Sequence, residues 1–467
     1  MALLRNSTIY TLGNLFPALA GFMLLPLYSQ YLSPKEYAII ASMEVLAYIF
    51  GVFVNLSLER AAYRFYFDNE NPHWRKDLLF TLHSSSIVLA GVWFLMALAL
   101  QSLIGMIFPD IPFWPFYALV LGRTCIEVIL RVPQQYLQVT EQPGYFVAIS
   151  VGRFCLSVSF VMWFLVVRNE GVQGSLTGQL FSSVLLVPVG LAIGFKCFRG
   201  RFRFELLKEA MVFCWPFVPT LLVAWVIGLS DRIFLAHFAT QSELGVYGMA
   251  YKIASGYILV MGAYHTAYLP RFYQLANSKD QAGALPQLKH EATNNVLLHL
   301  GLLVIAVMWS HEVVTWFLAD KYANVTHILR MLFFSHLFAA IPAVTFTVAI
   351  MQAKKTKLNM YVAMAAAVIN VVLNAILIPA YGMYGAALAT VTSMIVLFLM
   401  QYQASKLGYF IPIPWKVMGV ALPVIVALVI FFIFYIEQNM VLSLILKVLM
   451  SAGLLLYAHK LVVTNRK

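Results

Sequence analysis

Seven basic side chains fall inside stretches of this 467-residue chain that are otherwise apolar enough to cross a membrane. They are Arg123, Arg131, Arg153, Arg232, Lys252, Arg330 and Lys447. Acids in such stretches are fewer, namely Glu44, Glu127 and Asp231. A charge at the centre of a membrane helix costs roughly 2.5–3.5 kcal/mol on insertion scales, so these groups should face a wet cavity or a partner. Their positive surplus predicts anion binding, and the planar donor fork of arginine suits a diphosphate.

The clearest spacing lies in the fourth apolar stretch, where Arg123, Glu127 and Arg131 follow one another at intervals of four. This spacing places all three on one helix face, about one turn apart. Two interpretations stay open: the face lines a cavity, or the triad joins this helix to a neighbour in its own bundle. Arg153 lies near the middle of the fifth stretch without an acid in reach on its own helix. We favour a cavity position for it over a pair with Glu127.

Glu44 and Lys252 suggest a pair. They lie eight residues after Glu36 and nine after Glu243, which places them about 12–14 Å into the membrane at 1.5 Å per residue. The hypothesis is that they approach each other across the outer half of a central cavity when it is closed to the outside. The alternative is a separate partner for each within its own half of the protein.

Asp231 and Arg232 lie close to the outer end of the seventh stretch. Because they are adjacent in sequence, we expect them to point to different faces. Arg232, with Arg330 and Lys252, is a candidate for substrate binding, and Asp231, with Glu44 and Glu127, for gating or ion coupling. The alternative is that one of the adjacent pair only snorkels or caps an interface.

The composition requires a membrane protein. Hydrophobic residues make up 62% and charged residues 11% of the chain, against roughly 25% charged in an ordinary soluble domain. Apolar runs of about 20 residues recur, as a helix crossing a hydrocarbon core requires. The first run, Ile9 to Tyr28, is interpreted as a span and not as a removed signal peptide. Four scattered cysteines and the lack of a P-loop predict no metal, no disulfide, no cofactor and no ATP hydrolysis.

The apolar runs predict an all-α protein with about fourteen transmembrane helices. The predicted span centres are Ala20, Leu46, Trp93, Gly122, Leu156, Ser183, Ala224, Leu259, Val304, Ala340, Ile369, Thr392, Ile425 and Leu454. The connections between them are short, and none could hold a catalytic domain. We therefore expect a protein that is not an enzyme.

The distribution of Lys and Arg in the connections sets the orientation. With a cytoplasmic N-terminus, the inner segments carry 21 of these residues, against Lys35, Arg168 and Lys321 outside. Both termini are then cytoplasmic. The net charge of +12 is attributed to topology and to attraction for anionic lipid, and not to nucleic acid.

The chain also contains an internal repeat. PLYSQYLSPKEYAIIASMEVLAYIF has the same plan as RIFLAHFATQSELGVYGMAYKIASGY, and Gln138 to Leu186 aligns with Gln352 to Leu397, which sets Gly171 and Gly174 against Gly382 and Gly385. Six helices per repeat give two lobes that enter the membrane in the same sense. We expect lobes at residues 1–200 and 201–407, an extra transmembrane hairpin at 408–467, and a cavity that opens to either side by rocking. Transport is the natural use of this architecture.

The motifs that carry a family resemblance lie in the first two and the seventh and eighth predicted spans. They are Asn14, Pro17, PLYSQYLSPKEYAI and ERAAYRFY, then SDRIFLAHF, ELGVYGMAYKIAS and LPRFY. Over about residues 1 to 405 the chain resembles the polysaccharide-exporter branch of the multidrug/oligosaccharidyl-lipid/polysaccharide (MOP) superfamily, and within it the O-antigen (Wzx-type) flippases. The two-lobed fold is that of the MATE transporters in the same superfamily.

The resemblance implies a flippase that moves an undecaprenyl-pyrophosphate-linked oligosaccharide from the inner to the outer leaflet of the bacterial cytoplasmic membrane. It implies lateral portals at helices 1, 2, 7 and 8, with membrane lipids and a polysaccharide polymerase or chain-length regulator as candidate partners. The count of fourteen helices resembles the lipid II flippases, whose extra pair forms a groove for the lipid tail. The alternative is a MATE-like antiporter of drugs or organic cations, which would need a cavity dominated by acids.

Overall fold

A computed structural model describes residues 2–409 and 440–464, together with positions 411, 415, 419, 423 and 427. Every regular element within these residues is a helix. Among them, nine helices are long and apolar enough to cross a membrane, or ten if the bent pair Phe204–Cys214 and Phe217–Leu229 forms one span. The predicted all-α, multi-pass membrane fold is therefore confirmed.

Thirteen of the fourteen predicted span centres lie in described helices. The centre at Ile425 lies outside the described residues. The centres at Ile369 and Thr392 share one helix of 51 residues, whose regular geometry breaks at Gly382. The total of fourteen spans stays a prediction.

The chain divides into two compact units, Met1–Gly248 (unit 1) and Met249–Lys467 (unit 2). The boundary lies inside a single helix, α13 (Gln241–Ala276). This division differs from the lobes expected at 1–200 and 201–407, which describe the sequence repeat and stay a prediction. The expected hairpin at 408–467 is described only in part.

Unit 1 is built around α6. In chain order its helices are α1 (Ala2–Tyr31), α2 (Pro34–Asn55), α3 (Leu58–Phe65), α4 (Pro72–Ala99), α5 (Gln101–Gly105), α6 (Ala118–Val139), α7 (Pro143–Met162), α8 (Gly171–Val184), α9 (Val187–Cys197), α10 (Phe204–Cys214), α11 (Phe217–Leu229), α12 (Asp231–Phe238) and the start of α13. The helices that pack against α6 are α2, α3, α4, α7, α8 and α9. α6 therefore lies at the centre of the unit.

Unit 2 is built around α16. Its helices after α13 are α14 (Gln281–Met308), α15 (Ser310–Phe317), α16 (Val325–Val344), α17 (Phe346–Gln352), α18 (Thr356–Lys406) and α19 (Met440–Thr464). α16 packs against α14, α15, α17 and α18, while α19 packs against α14.

The two helices that begin the repeated motif start in the same way. The Ser33 backbone N–H donates to Glu36 Oε2 at 2.8 Å, and the Glu36 N–H donates back to Ser33 Oγ at 3.3 Å. At the start of α13, Thr240 donates to Glu243 Oε2 at 3.0 Å, and Glu243 donates to Thr240 Oγ1 at 3.2 Å. Each reciprocal pair is a capping box that satisfies donors the helix itself leaves unpaired.

The aligned glycines also have matching geometry. Gly171 has a φ of 56° and Gly382 a φ of 54°, a left-handed conformation that glycine adopts without steric cost. Three residues later, an added Cβ would lie 2.8 Å from a backbone carbonyl oxygen at Gly174 and 2.1 Å from one at Gly385. At both places a turn and a close helix approach require glycine, which explains why the sequence repeats there.

Candidate functional site

The charged triad of α6 meets α8 at one end. The Arg123 Nη1 group donates to Gln179 Oε1, and Arg123 Nε lies 3.6 Å from Glu127 Oε1. Ser183, one turn further along α8, donates to Glu127 Oε1 at 3.4 Å. Arg123 and Glu127 therefore join two helices of the same unit.

Arg131, at the other end of the triad, lines a cavity instead. The cavity measures about 240 Å³ and also contains Arg60, Glu59 and Asn55 on its walls. Asn55 Nδ2 donates to Glu59 Oε2, and the Arg60 guanidinium lies 4.6 Å from the centroid of the Phe217 ring. Within the described part of the chain, the Arg131 guanidinium has no hydrogen bond or ion pair.

Each of the two interpretations of the triad therefore holds at one end of the helix. Arg123 and Glu127 hold α6 to α8, whereas Arg131 faces open space. The distance between the two ends is about 12 Å, because eight residues of helix rise by 1.5 Å each.

Arg153 on α7 lies close to the same carboxylate. Glu127 interacts electrostatically with Arg123, Arg153 and Arg131. The Arg153 Nε atom is buried and has no hydrogen-bond partner among the described residues. We call Arg123, Arg131, Arg153 and Glu127 the arginine cluster: three guanidinium groups around one carboxylate, with net positive charge. Such a cluster can bind an anion that enters it.

Tyr28 extends this network towards Glu44. Its hydroxyl accepts from Ser175 Oγ at 2.9 Å and from Gln179 Nε2 at 3.4 Å. Glu44 and Arg123 both lie close enough to Tyr28 to interact with it electrostatically. Glu44, the gating candidate on α2, is therefore linked to the arginine cluster by Tyr28 of α1 and by the residues of α8 that contact Tyr28.

Asp231 and Arg232 correct an expectation, because their side chains meet instead of pointing to different faces. Arg232 Nη1 lies 3.3 Å from Asp231 Oδ1 and donates to the Gly228 carbonyl oxygen at 3.1 Å. Tyr247 donates its hydroxyl proton to the same carboxylate. Both residues are buried, with 1% and 3% exposure, so the flexible Arg232 side chain folds back to neutralise a charge that would be costly alone. The geometry favours a structural role for the pair.

The basic residues of unit 2 also have partners. Arg330 is buried and donates from Nε to Ser310 Oγ at 2.8 Å. Lys447 is fully buried and donates from Nζ to Glu312 Oε1 at 2.5 Å. Lys252 is half-buried on α13, and its approach to Glu44 stays a prediction.

Sequence reasoning missed Arg60 and Glu312. Arg60 is one of the 21 basic residues that the sequence assigns to the inner segments, yet it lies on α3 and lines the same cavity as Arg131. Glu312 lies on α15, a short helix directly after a long span. At such a position, hydropathy does not distinguish an exposed loop from a buried turn. In LERAAYRF, Leu58, Ala61 and Ala62 are spaced as one apolar helix face, with the charged residues on the other, and this amphipathic pattern could have identified Arg60.

Comparisons with known proteins agree with this architecture. Residues 3–276 match a model of a polysaccharide biosynthesis protein family, and residues 216–376 match the MatE family. The Haemophilus influenzae "Lsg locus putative protein 1" is 23% identical over 337 residues, which cover 69% of this chain and 79% of that protein. An uncharacterized membrane protein of Methanocaldococcus jannaschii is 22% identical, over 85% of this chain and 97% of its own length.

Two solved structures show the same fold. The lipid II flippase MurJ in an inward closed conformation matches with a TM-score of 0.75 and 14% identity, covering 97% of this chain and 100% of MurJ. An inward-facing multidrug resistance MATE family transporter of the MOP superfamily matches with a TM-score of 0.64 and 14% identity, covering 84% of this chain and 94% of that one.

Proposed function

Because the chain belongs to the polysaccharide biosynthesis protein family, we propose that it is a flippase for an undecaprenyl-pyrophosphate-linked oligosaccharide. The cargo would move from the inner to the outer leaflet of the bacterial cytoplasmic membrane by alternating access. In this proposal the protein is a transporter and not an enzyme. Both termini are cytoplasmic, and a polysaccharide polymerase or chain-length regulator takes over the exported cargo.

The observation that carries the proposal is the cavity shared by Arg60 and Arg131. Arg60 and Arg131 line this space of about 240 Å³ together with Glu59, and its volume is below the roughly 300–1,000 Å³ of drug-sized ligand sites. A phosphate or diphosphate has the right charge for this site, and two oxygens of one phosphate group can accept two parallel hydrogen bonds from a planar guanidinium group. By the proposed orientation, the cavity lies at the inner end of α2 and α6, where an inner-leaflet headgroup would enter.

The proposed transport step uses the rest of the arginine cluster. The diphosphate exchanges its water for the Arg60 and Arg131 guanidinium groups and then for Arg123 and Arg153, which lie further from the inner surface. The polyprenyl tail stays in the lipid. A negative cell interior assists an outward-moving anion by roughly 2.3 kcal/mol per charge per 100 mV.

Two arginines of α3 allow a matched test. Arg60→Ala removes a cavity cation, whereas Arg64→Ala removes a side chain that is 59% exposed and paired with Asp68. A hydrogen bond to a charged group contributes about 1.5–3 kcal/mol, so Arg60→Ala and Arg131→Ala should each reduce export about tenfold or more. The measurement is the amount of lipid-linked oligosaccharide that accumulates on the inner leaflet of cells producing each variant.

The expected result for Arg64→Ala is export at the level of the unchanged protein. If the Arg60→Ala and Arg131→Ala variants export as much cargo as the Arg64→Ala variant, the cavity does not bind the headgroup and the proposal fails.

A second candidate, an antiporter of organic cations, has the MatE match of residues 216–376 in its favour. Its cargo is a cation, which the arginine cluster would repel. Expression of this chain in cells that lack endogenous drug exporters distinguishes the flippase from the antiporter. Resistance of these cells to a cationic dye would support the antiporter.

A further inference from the structure

Two grooves flank α9 at one end. The larger, about 730 Å³, lies between α7 and α9, and its walls include Ile149, Val189 and Ile193. The smaller, about 230 Å³, lies between α4 and α9 on the other side, with Phe80 and Leu191 on its walls. Both lie within unit 1, outside the arginine cluster and its cavity.

The grooves exist because α9 packs closely against its neighbours only on the side that carries its glycines. A Cβ at Gly190 would lie 3.1 Å from the Ile129 carbonyl oxygen, and one at Gly194 would lie 3.0 Å from His83 Nε2. These close approaches hold α9 against α6 and α4. The remaining faces carry exposed apolar side chains, with Phe195 72% exposed, so they contact lipid.

The larger groove has the length of one leaflet. Its walls extend from Leu186 to Lys196 along α9, which is about 15 Å at 1.5 Å per residue and half of a ~30 Å hydrocarbon core. The walls are apolar except at one end, where Gln142, Tyr136 and Lys196 lie. By the proposed orientation, this polar end is at the level of the inner-leaflet headgroups.

The smaller groove ends in a second cation. Its wall includes Arg199, three residues after Lys196, and the Arg199 Nε atom donates to the Phe195 carbonyl oxygen at 2.9 Å. Neither groove has an acidic residue among the residues that line it. Each groove therefore has one basic residue on its walls, and these two residues lie three positions apart in the chain.

We propose that α9 holds one anionic phospholipid of the inner leaflet, with one acyl chain in each groove and the phosphate between Lys196 and Arg199. Two chains match two grooves, whereas a polyprenyl carrier has a single chain. The paired cations select an anionic headgroup over a zwitterionic one. The site is separate from the arginine cluster, so lipid binding does not depend on the proposed cargo.

The test is native mass spectrometry of the purified full-length protein after incubation with equal amounts of phosphatidylglycerol and phosphatidylcholine. The expected result is retention of one phosphatidylglycerol. Each basic residue near a membrane surface contributes roughly 1 kcal/mol, so Lys196→Ala with Arg199→Ala should lower retention about thirtyfold. Lys208→Ala removes an exposed charge at the fifth residue of α10, which lines neither groove, and this variant should retain the lipid.

A groove-filling variant gives an independent measurement. Ala192→Trp places a large ring in the larger groove and should also abolish retention, while Ala99→Trp, at an exposed position outside both grooves, should not. The proposal is overturned if both lipids are retained equally, or if neither the double alanine variant nor Ala192→Trp loses lipid. Displacement of phosphatidylglycerol by an equal concentration of undecaprenyl diphosphate would also overturn it, since the groove would then belong to the cargo.

Discussion

Lys447 and Arg131 are both basic residues inside membrane helices, yet their surroundings differ. Lys447 is fully buried against Glu312, while Arg131 faces a cavity with Arg60. Arg232 resembles Lys447, because it is buried with Asp231. At the residue scale, the positive surplus predicted from the sequence is concentrated in the arginine cluster, and several other cations stabilise the helix packing.

The Lys447–Glu312 pair gives a stability prediction. Lys447→Met leaves a buried carboxylate without its cation, and breaking such a pair from one side costs about 3–5 kcal/mol. We expect a clear drop in melting temperature in detergent. The double variant Lys447→Met with Glu312→Gln should recover most of it, because no charge is left unpaired. A double variant as unstable as the single one would show that packing, and not charge, holds this contact.

Glu44 and Lys252 give a prediction about gating. If they pair during transport, Glu44→Lys and Lys252→Glu should each reduce export, because each places like charges together. The charge swap that combines both changes should restore part of it. The measurement is accumulation of lipid-linked oligosaccharide on the inner leaflet, and a swap no better than either single variant would exclude the pair.

At the scale of elements, α2 and the start of α13 touch through their backbones. A Cβ on Gly245 would lie 1.8 Å from the Pro34 carbonyl oxygen, and one on Gly248 would lie 2.6 Å from Ala41 Cβ. By the proposed orientation, this contact lies at the outer end of both helices. It brings together the two capping boxes at the starts of the repeated helices.

Two glycines of α13 test the importance of this contact. Gly245→Ala forces the helices apart, and overpacking of this kind costs typically 1–3 kcal/mol. Gly262→Ala is the control on the same helix, because an added Cβ there has no neighbour within 4 Å among the described residues. We expect lower melting temperature and lower export for Gly245→Ala only. Equal behaviour of the two variants would mean that the helices separate without cost.

The sequence predicted the positions of the helices better than their breaks. Thirteen span centres predicted from hydropathy lie in described helices, since a run of about 20 apolar residues has the length that a membrane-crossing helix needs. It did not show that one predicted span consists of α8 and α9, which meet at Leu185 and Leu186. Pro188 lies in the first turn of α9, where proline is compatible with a helix start.

At the scale of the whole molecule, the sequence predicts only part of the candidate site. The spacing of Arg123, Glu127 and Arg131 is local, so the sequence indicates their shared face. Arg60 and Arg131 are 71 positions apart in the chain, and they line one cavity because α3 packs against α6. A single sequence carries no direct record of such tertiary contacts.

The orientation of the whole molecule gives a further prediction. In a chain whose native cysteines are replaced, Arg201→Cys should react with a membrane-impermeant maleimide only after the membrane is opened. Lys321→Cys should react in intact spheroplasts, because the excess of Lys and Arg assigns its loop to the outside. The reverse labelling pattern would invert the topology and place the Arg60 cavity at the outer leaflet, where it could not receive cargo from the cytoplasm.

The Lys447–Glu312 contact also sets an order of events during biosynthesis. The two residues are 135 positions apart, so a ribosome making roughly 5–20 residues per second needs about 7–27 s to go from the acid to its partner. During that interval, the nascent chain in the translocon carries Glu312 without Lys447. The last described helix therefore completes the neutralisation of a helix inserted much earlier, and chains that stall before it should be recognised by membrane quality control.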